Sequence, residues 1–172
     1  MTTRYFRTLA LLAAAAPLGA ALIGLAPAQA ASGDLSCSAS LSLAFQPALV
    51  AGGQSTATIT GTTSNCTSSN GQHTDLTSGT VSGSGAGTGA SSFLFPCGVQ
   101  PSGNGTATIT WSSGATSTIG WQTSGTSFSA TVTAGQLQGD ALQASVNGAP
   151  QATCAPDGGM AGVSADVSAS FA

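Results

Sequence analysis

Residues 105–125 read GTATITWSSGATSTIGWQTSG, and this stretch decides the fold. Ala107, Ile109 and Trp111 alternate with Thr106, Thr108 and Thr110, so in an extended strand the apolar set falls on one face. The alternation resumes after Thr116 with Ser117, Ile119 and Trp121. Two such strands joined by a short Gly-containing segment predict a β-hairpin. The predicted register sets Ile109 opposite Ile119, Trp111 opposite Ser117 and Ala107 opposite Trp121, around a Ser113-Gly114-Ala115 loop. Both Trp residues of the chain then share one face of one hairpin.

The same period of two recurs along the chain. Leu35, Cys37, Ala39, Leu41, Leu43 and Phe45 alternate with serines. Ala57 and Ile59 alternate with threonines over 54–63, and Cys66 then has the wrong parity for their face. For Cys66 to point inward a bulge is needed, and Gly61 is the natural place for it. Residues 78–89, SGTVSGSGAGTG, read either as a flexible loop or as a strand whose inner face is nearly bare glycine, including Gly83, Gly85 and Gly87. Such a strip would let another surface approach closely, the Trp rings of the hairpin among them. Pro101, Gly103 and Gly105 read as a loop leading into the hairpin. Further strands are expected over 127–133, with Phe128, Ala130 and Val132 inward, over 140–146, and over the last ten residues.

No helical period appears after residue 30. The expected class is all-β, an immunoglobulin-like or Greek-key β-sandwich of about eight strands, with a closed barrel as the competing architecture. The repeat of TATIT at 56–60 and 106–110 reads as two strands meeting the same half-buried requirement, not as a duplication.

The first thirty residues read as a secretory signal: Arg4 and Arg7, an apolar run from Leu9 to Leu25, then Ala28-Gln29-Ala30 before the cleavage point. Residues 31–172 form one domain in this reading, secreted and acting outside the cell or at its envelope. No second long apolar run follows, so no membrane span is expected in the mature chain. The chain has no Lys, and both Arg lie in the signal. Nucleic acid is excluded as a partner, because phosphate binding requires several cations. Four cysteines, Cys37, Cys66, Cys97 and Cys154, suit two disulfides in an exported protein. Of three connectivities, Cys37–Cys66 with Cys97–Cys154 is favoured, and Cys37–Cys154 with Cys66–Cys97 comes next. No two cysteines have metal-ligand spacing, so no metal or other cofactor is expected.

Catalytic signals are sparse. His73 with Asp75 could serve a Ser-His-Asp arrangement, but no nucleophile elbow accompanies them. Asp157 could pair with Asp140 or Asp75 for glycoside hydrolysis, though an Asp before Gly is more often a turn former. Cys154 to Met160 could present a protease-inhibitor loop, in which Met160 would serve only a protease with an apolar pocket; a disulfide-tethered connection is the favoured reading. Trp111 and Trp121 could form a platform for a sugar ring or apolar ligand, or could be core.

The segment TATITWSSGATSTIGW resembles a hairpin recurring in small exported proteins of actinobacteria. These share a signal peptide, about four cysteines and a Gly/Ser/Thr-rich immunoglobulin-like sandwich. The resemblance implies that fold and an extracellular place, and carries no activity with it. The expectation is a non-catalytic exported protein acting by surface interaction with a protein or glycan. The alternatives are a carrier for a small apolar ligand near Trp111, Trp121 and the strip Gly83, Gly85 and Gly87, and a secreted hydrolase.

Overall fold

In the computed structural model, residues 34–125, 127–156 and 158–172 are described. The expected signal sequence, residues 1–30, lies outside them. Among the described residues nine strands follow one another: β1 (Leu35–Leu49), β2 (Gln54–Thr67), β3 (Gly79–Ser91), β4 (Val99–Trp111), β5 (Thr116–Ser124), β6 (Ser127–Gly135), β7 (Ala141–Val146), β8 (Gln151–Cys154) and β9 (Met160–Phe171).

The architecture is a closed antiparallel barrel, not the expected sandwich. Each strand from β1 to β6 pairs with the next, and β7 pairs with β9. β9 then returns to β1, in register from Leu35↔Phe171 to Ala44↔Gly162. β1 therefore has a partner along both edges, and the ring closes through eight strands. β8 pairs with Met160–Ser164 on the side of β9 where β7 pairs with Leu142↔Phe171 to Val146↔Val167. Sandwich and barrel both hide alternate residues, so period two cannot separate them. What separates them is the partner of the last strand, a pairing between residues more than a hundred positions apart.

The inward residues form layers. One contains Leu43, Ile59, Gly83, Ala107 and Ile119, and the next contains Phe45, Ala57, Gly85, Gly105 and Trp121. Outward positions carry hydroxyls: Ser36, Ser38, Ser40 and Ser42 of β1, and Thr56, Thr58, Thr60 and Thr62 of β2, are all exposed. A barrel in lipid shows the reverse, apolar outside. Among the described residues no helix is long and apolar enough to cross a membrane.

The central hairpin forms with its register displaced by two. Ile109 faces Ser117, Ala107 faces Ile119 and Gly105 faces Trp121. The loop is Ser112-Ser113-Gly114, closed by the Trp111 N–H donating to the Ala115 carbonyl at 2.9 Å. Gly114 has φ +85°, so the left-handed position is the last of the three loop residues rather than the middle one. The displacement is even, so every side chain keeps its face.

Three further expectations change. Residues 79–89 are strand throughout, within β3, with Ser78 just before it, and Pro101, Gly103 and Gly105 belong to β4, not to a loop. The bulge that turns Cys66 inward lies at Asn65 (φ +51°), between the pairs Ser38↔Ser64 and Ser36↔Thr67; Gly61 stays in register with Leu41. Phe128 is 47 % exposed, whereas Ala130 and Val132 are buried as expected.

Disulfides join Cys37 to Cys66 and Cys97 to Cys154, separated by 29 and 57 residues, and no described cysteine is free. The first staples β1 to β2. The second ties β8 to the connection between β3 and β4. One end of the barrel is sealed by Leu35, Leu76, Trp111 and Phe171, all essentially without exposure. Trp111 meets Phe171 edge-on, ring centroids 6.2 Å apart. The other end is filled by Leu49, Val99 and Met160.

Candidate ligand chamber

The two Trp residues share a face but not a role. Trp111 is core: it is 2 % exposed, and its Nε1–H donates to Ser117 Oγ at 2.9 Å, which donates in turn to the Gln136 carbonyl at 2.7 Å. Trp121, one hairpin strand away, is 7 % exposed, and its Nε1–H has no acceptor among the described residues.

Trp121 reaches its position because the glycines of β3 and β4 leave room. A Cβ added at Gly85 would lie 2.6 Å from Trp121 Cζ2, and one at Gly105 would lie 2.7 Å from it. The indole therefore lies on bare backbone. The same strip receives the Phe45 ring at Gly87, where a Cβ would stand 3.0 Å from Cε1. Gly83 sits against Ala107, 2.6 Å from its Cα by the same measure. The glycine strip is thus an inner wall of the barrel and not an exposed patch.

Two chambers open beside Trp121. The deeper, of about 100 Å³, is bounded among others by Ile59, Thr63, Val81, Ile109, Ile119 and Phe171. The outer, of about 190 Å³, reaches Leu43, Thr123, Val163 and Ala165. Leu41, Ile59, Trp121, Phe128 and Val167 line both. Thr63 in the deeper chamber is 5 % exposed, and its Oγ1 is without a partner. No charged side chain lines either chamber.

The opening lies where the barrel wall is thinnest. β6 and β7 share only the pairs Ala130↔Leu142 and Thr131↔Ala141. Ser127–Ser129 of β6 pair with β5 alone. Half-exposed Phe128 stands at this seam, beside Val163 and Val167 of β9. Parity alone would put its ring inside; the missing neighbour strand leaves it at the mouth.

The candidate catalytic residues are not gathered at the chambers. His73 and Asp75 lie in the connection between β2 and β3, Asp75 exposed and His73 half-buried. Asp140 is 3 % exposed, before β7, and one of its carboxylate oxygens has no partner. Burial pushes the Asp140 carboxyl above its ordinary value of 3.8, the charge of Asp34 adds to the rise, and His73 opposes it. Asp34 is held separately, by the Asn70 side-chain amide donating at 2.6 Å. Asp157 lies outside the described residues. Met160, the residue that would serve a protease with an apolar pocket, is 2 % exposed and so is not presented.

The raised Asp140 pKa gives a signed prediction. Its proton is held more tightly in the folded chain than in the unfolded one. Its protonation therefore favours the fold at low pH, and that contribution is lost as pH rises through the folded value. Asp140→Asn should flatten this part of the pH dependence and raise the melting temperature near neutrality relative to the parent. Thermal melts of both proteins from acid to neutral pH check it; an equal difference at every pH contradicts it.

Comparison with protein-family models, with curated proteins and with solved structures finds no match. The geometry defines a class all the same: a small disulfide-stapled antiparallel barrel with an apolar interior chamber.

Proposed function

We propose that the chain is an exported carrier that holds a small apolar ligand inside the barrel, admitted beside Phe128. The observation that carries this reading is the pair of adjoining apolar chambers, running from beneath Trp121 to a seam closed by only two backbone pairs. Eight-stranded barrels have an interior that side chains just fill or that accommodates one small ligand. Here the small side chains of Ala39, Ala107, Ala144 and Ala169 leave part of it unfilled beside Trp121. The size fits a single ring or a short acyl chain. Two disulfides and a hydroxylated exterior are consistent with secretion.

The surface-interaction reading retains one observation of its own. Phe93 and Leu94 are 95 % and 78 % exposed, in the segment before the Cys97–Cys154 staple. This pair lies outside both chambers, so the two readings separate experimentally.

Toluene titrated into the oxidised mature chain, followed by calorimetry, should show saturable one-site binding. Ala144 lines the deeper chamber yet is itself exposed, so Ala144→Phe can fill the space with little core strain. This variant should stay folded and lose toluene binding at least tenfold. Unchanged toluene affinity in a folded Ala144→Phe protein, or no binding by the parent, contradicts the carrier reading.

A further inference from the structure

Resting on the carrier reading, we infer that the group held in the chamber is an apolar side chain of an extended, uncharged peptide, whose main chain adds a strand to the open edge of β7 at Ala144 and Val146. Antiparallel strands turn the N–H and C=O of successive residues to opposite sides. Ala141 exchanges both bonds with Ala172, at 2.7 and 3.0 Å, and the Asn147 N–H donates to the Asp166 carbonyl at 2.7 Å. Ala141, Gln143 and Ser145 therefore turn to β9, and Leu142, Ala144 and Val146 turn to the β6 side. Leu142 meets Ala130 there, whereas Ala144 and Val146 meet no strand among the described residues. Both continue the inward row of Leu142, yet both are exposed, Val146 by 51 %. The lane beside them is open, and an open strand edge is a template for one more strand.

The chamber behind the edge says which side chain is taken. A residue paired opposite Ala144 shares its face. Ala144 lines the deeper chamber, so that residue points inward, at the mouth beside Phe128. The outer chamber, of about 190 Å³, has room for one ring. No charged side chain lines either chamber, and Ser127, Ser129, Gln143 and Ser145 at the seam are uncharged. A charged residue there would lose hydration without gaining a partner. The open length is bounded by the Ala130↔Leu142 pair at one end and the connection 147–150 at the other. That suits a single free strand. It does not suit the β7 edge of a second barrel, which already carries its own β6.

The acetylated, amidated pentapeptide Thr-Ser-Phe-Ser-Thr and toluene are matched probes, because toluene is the Phe side chain without its main chain. On a ¹⁵N-labelled sample the peptide should slow amide hydrogen exchange at Ala144 and Val146 at least tenfold. Toluene should bind without slowing either amide. Methylating the Phe nitrogen of the peptide removes one donor to the edge and should weaken binding about tenfold. Val146→Pro removes an edge N–H that no strand uses, a place where Pro is tolerated. That variant should weaken the peptide about tenfold and change toluene by less than about twofold. If toluene binds and the peptide does not, or if the methylated peptide binds equally well, the strand-addition inference fails while the carrier reading stands. If neither probe binds, both fail. A parent that is dimeric in solution, with Ala144 and Val146 already protected, also overturns the inference, since a second copy then covers the edge. Should Val146→Pro not fold, the two peptides decide the matter alone.

Discussion

Gly85→Val should destabilise the protein by about 3 kcal/mol or more, lowering its melting temperature by about 10 °C for a domain of this size. The added Cβ would meet Trp121 Cζ2 at 2.6 Å and Gly105 Cα at 2.9 Å, and would press on the Asn104 carbonyl. Two of these neighbours are backbone of the adjacent strand and cannot rotate away. The third is the indole, which can yield only into the chamber. Ser84→Val, one position away on the hydroxylated outer face, should change stability by no more than about 0.5 kcal/mol. Thermal melts of the two variants side by side make the test. Equal effects would mean that the glycine strip is not an inner wall.

Trp111→Ala should cost about 3–5 kcal/mol, a large share of the stability of a small domain. The substitution empties the sealed end, removes the edge-on contact with Phe171, and leaves Ser117 Oγ without its donor in a site of no exposure. Trp111→Phe keeps the ring and should recover part of the loss. Denaturant unfolding of the parent and both variants gives the order. A Trp111→Ala protein within about 1 kcal/mol of the parent would show that this end is not the packed anchor described.

How much of this was open to the sequence follows from what period two encodes. It encodes which face a residue takes, and Ala107, Ile109, Trp111, Ile119 and Trp121 all take the buried one. It does not encode pairing partners. The hairpin slipped by two residues because Gly114, at φ +85°, belongs at the end of the loop, and an even slip leaves the faces unchanged. The choice of barrel over sandwich turned on β9 returning to β1, which no local pattern records. The need for a bulge before Cys66 was legible from its parity; its place at Asn65 was not, because Gly61 looked the more permissive residue.

The candidate site was legible in part. Trp111 and Trp121 are indistinguishable by spacing, and only their hydrogen bonds divide core from chamber. Gly83, Gly85 and Gly87 read as a strip open to close approach, and the rings of Trp121 and Phe45 lie against it at Gly85 and Gly87. Thr63 continues the inward row of Ala57, Ile59 and Gly61, so its parity was a usable signal that strand-end placement obscured. Phe128 at the mouth depends on how far β6 and β7 pair, a property of two strands together.

Xenon enters apolar cavities and is visible in diffraction, so a crystal of the oxidised mature protein under xenon pressure reports on the chamber directly. The account predicts a xenon atom inside the barrel, among Leu41, Ile59, Trp121, Phe128 and Val167. A barrel interior without xenon, with those five side chains in mutual contact, would contradict it.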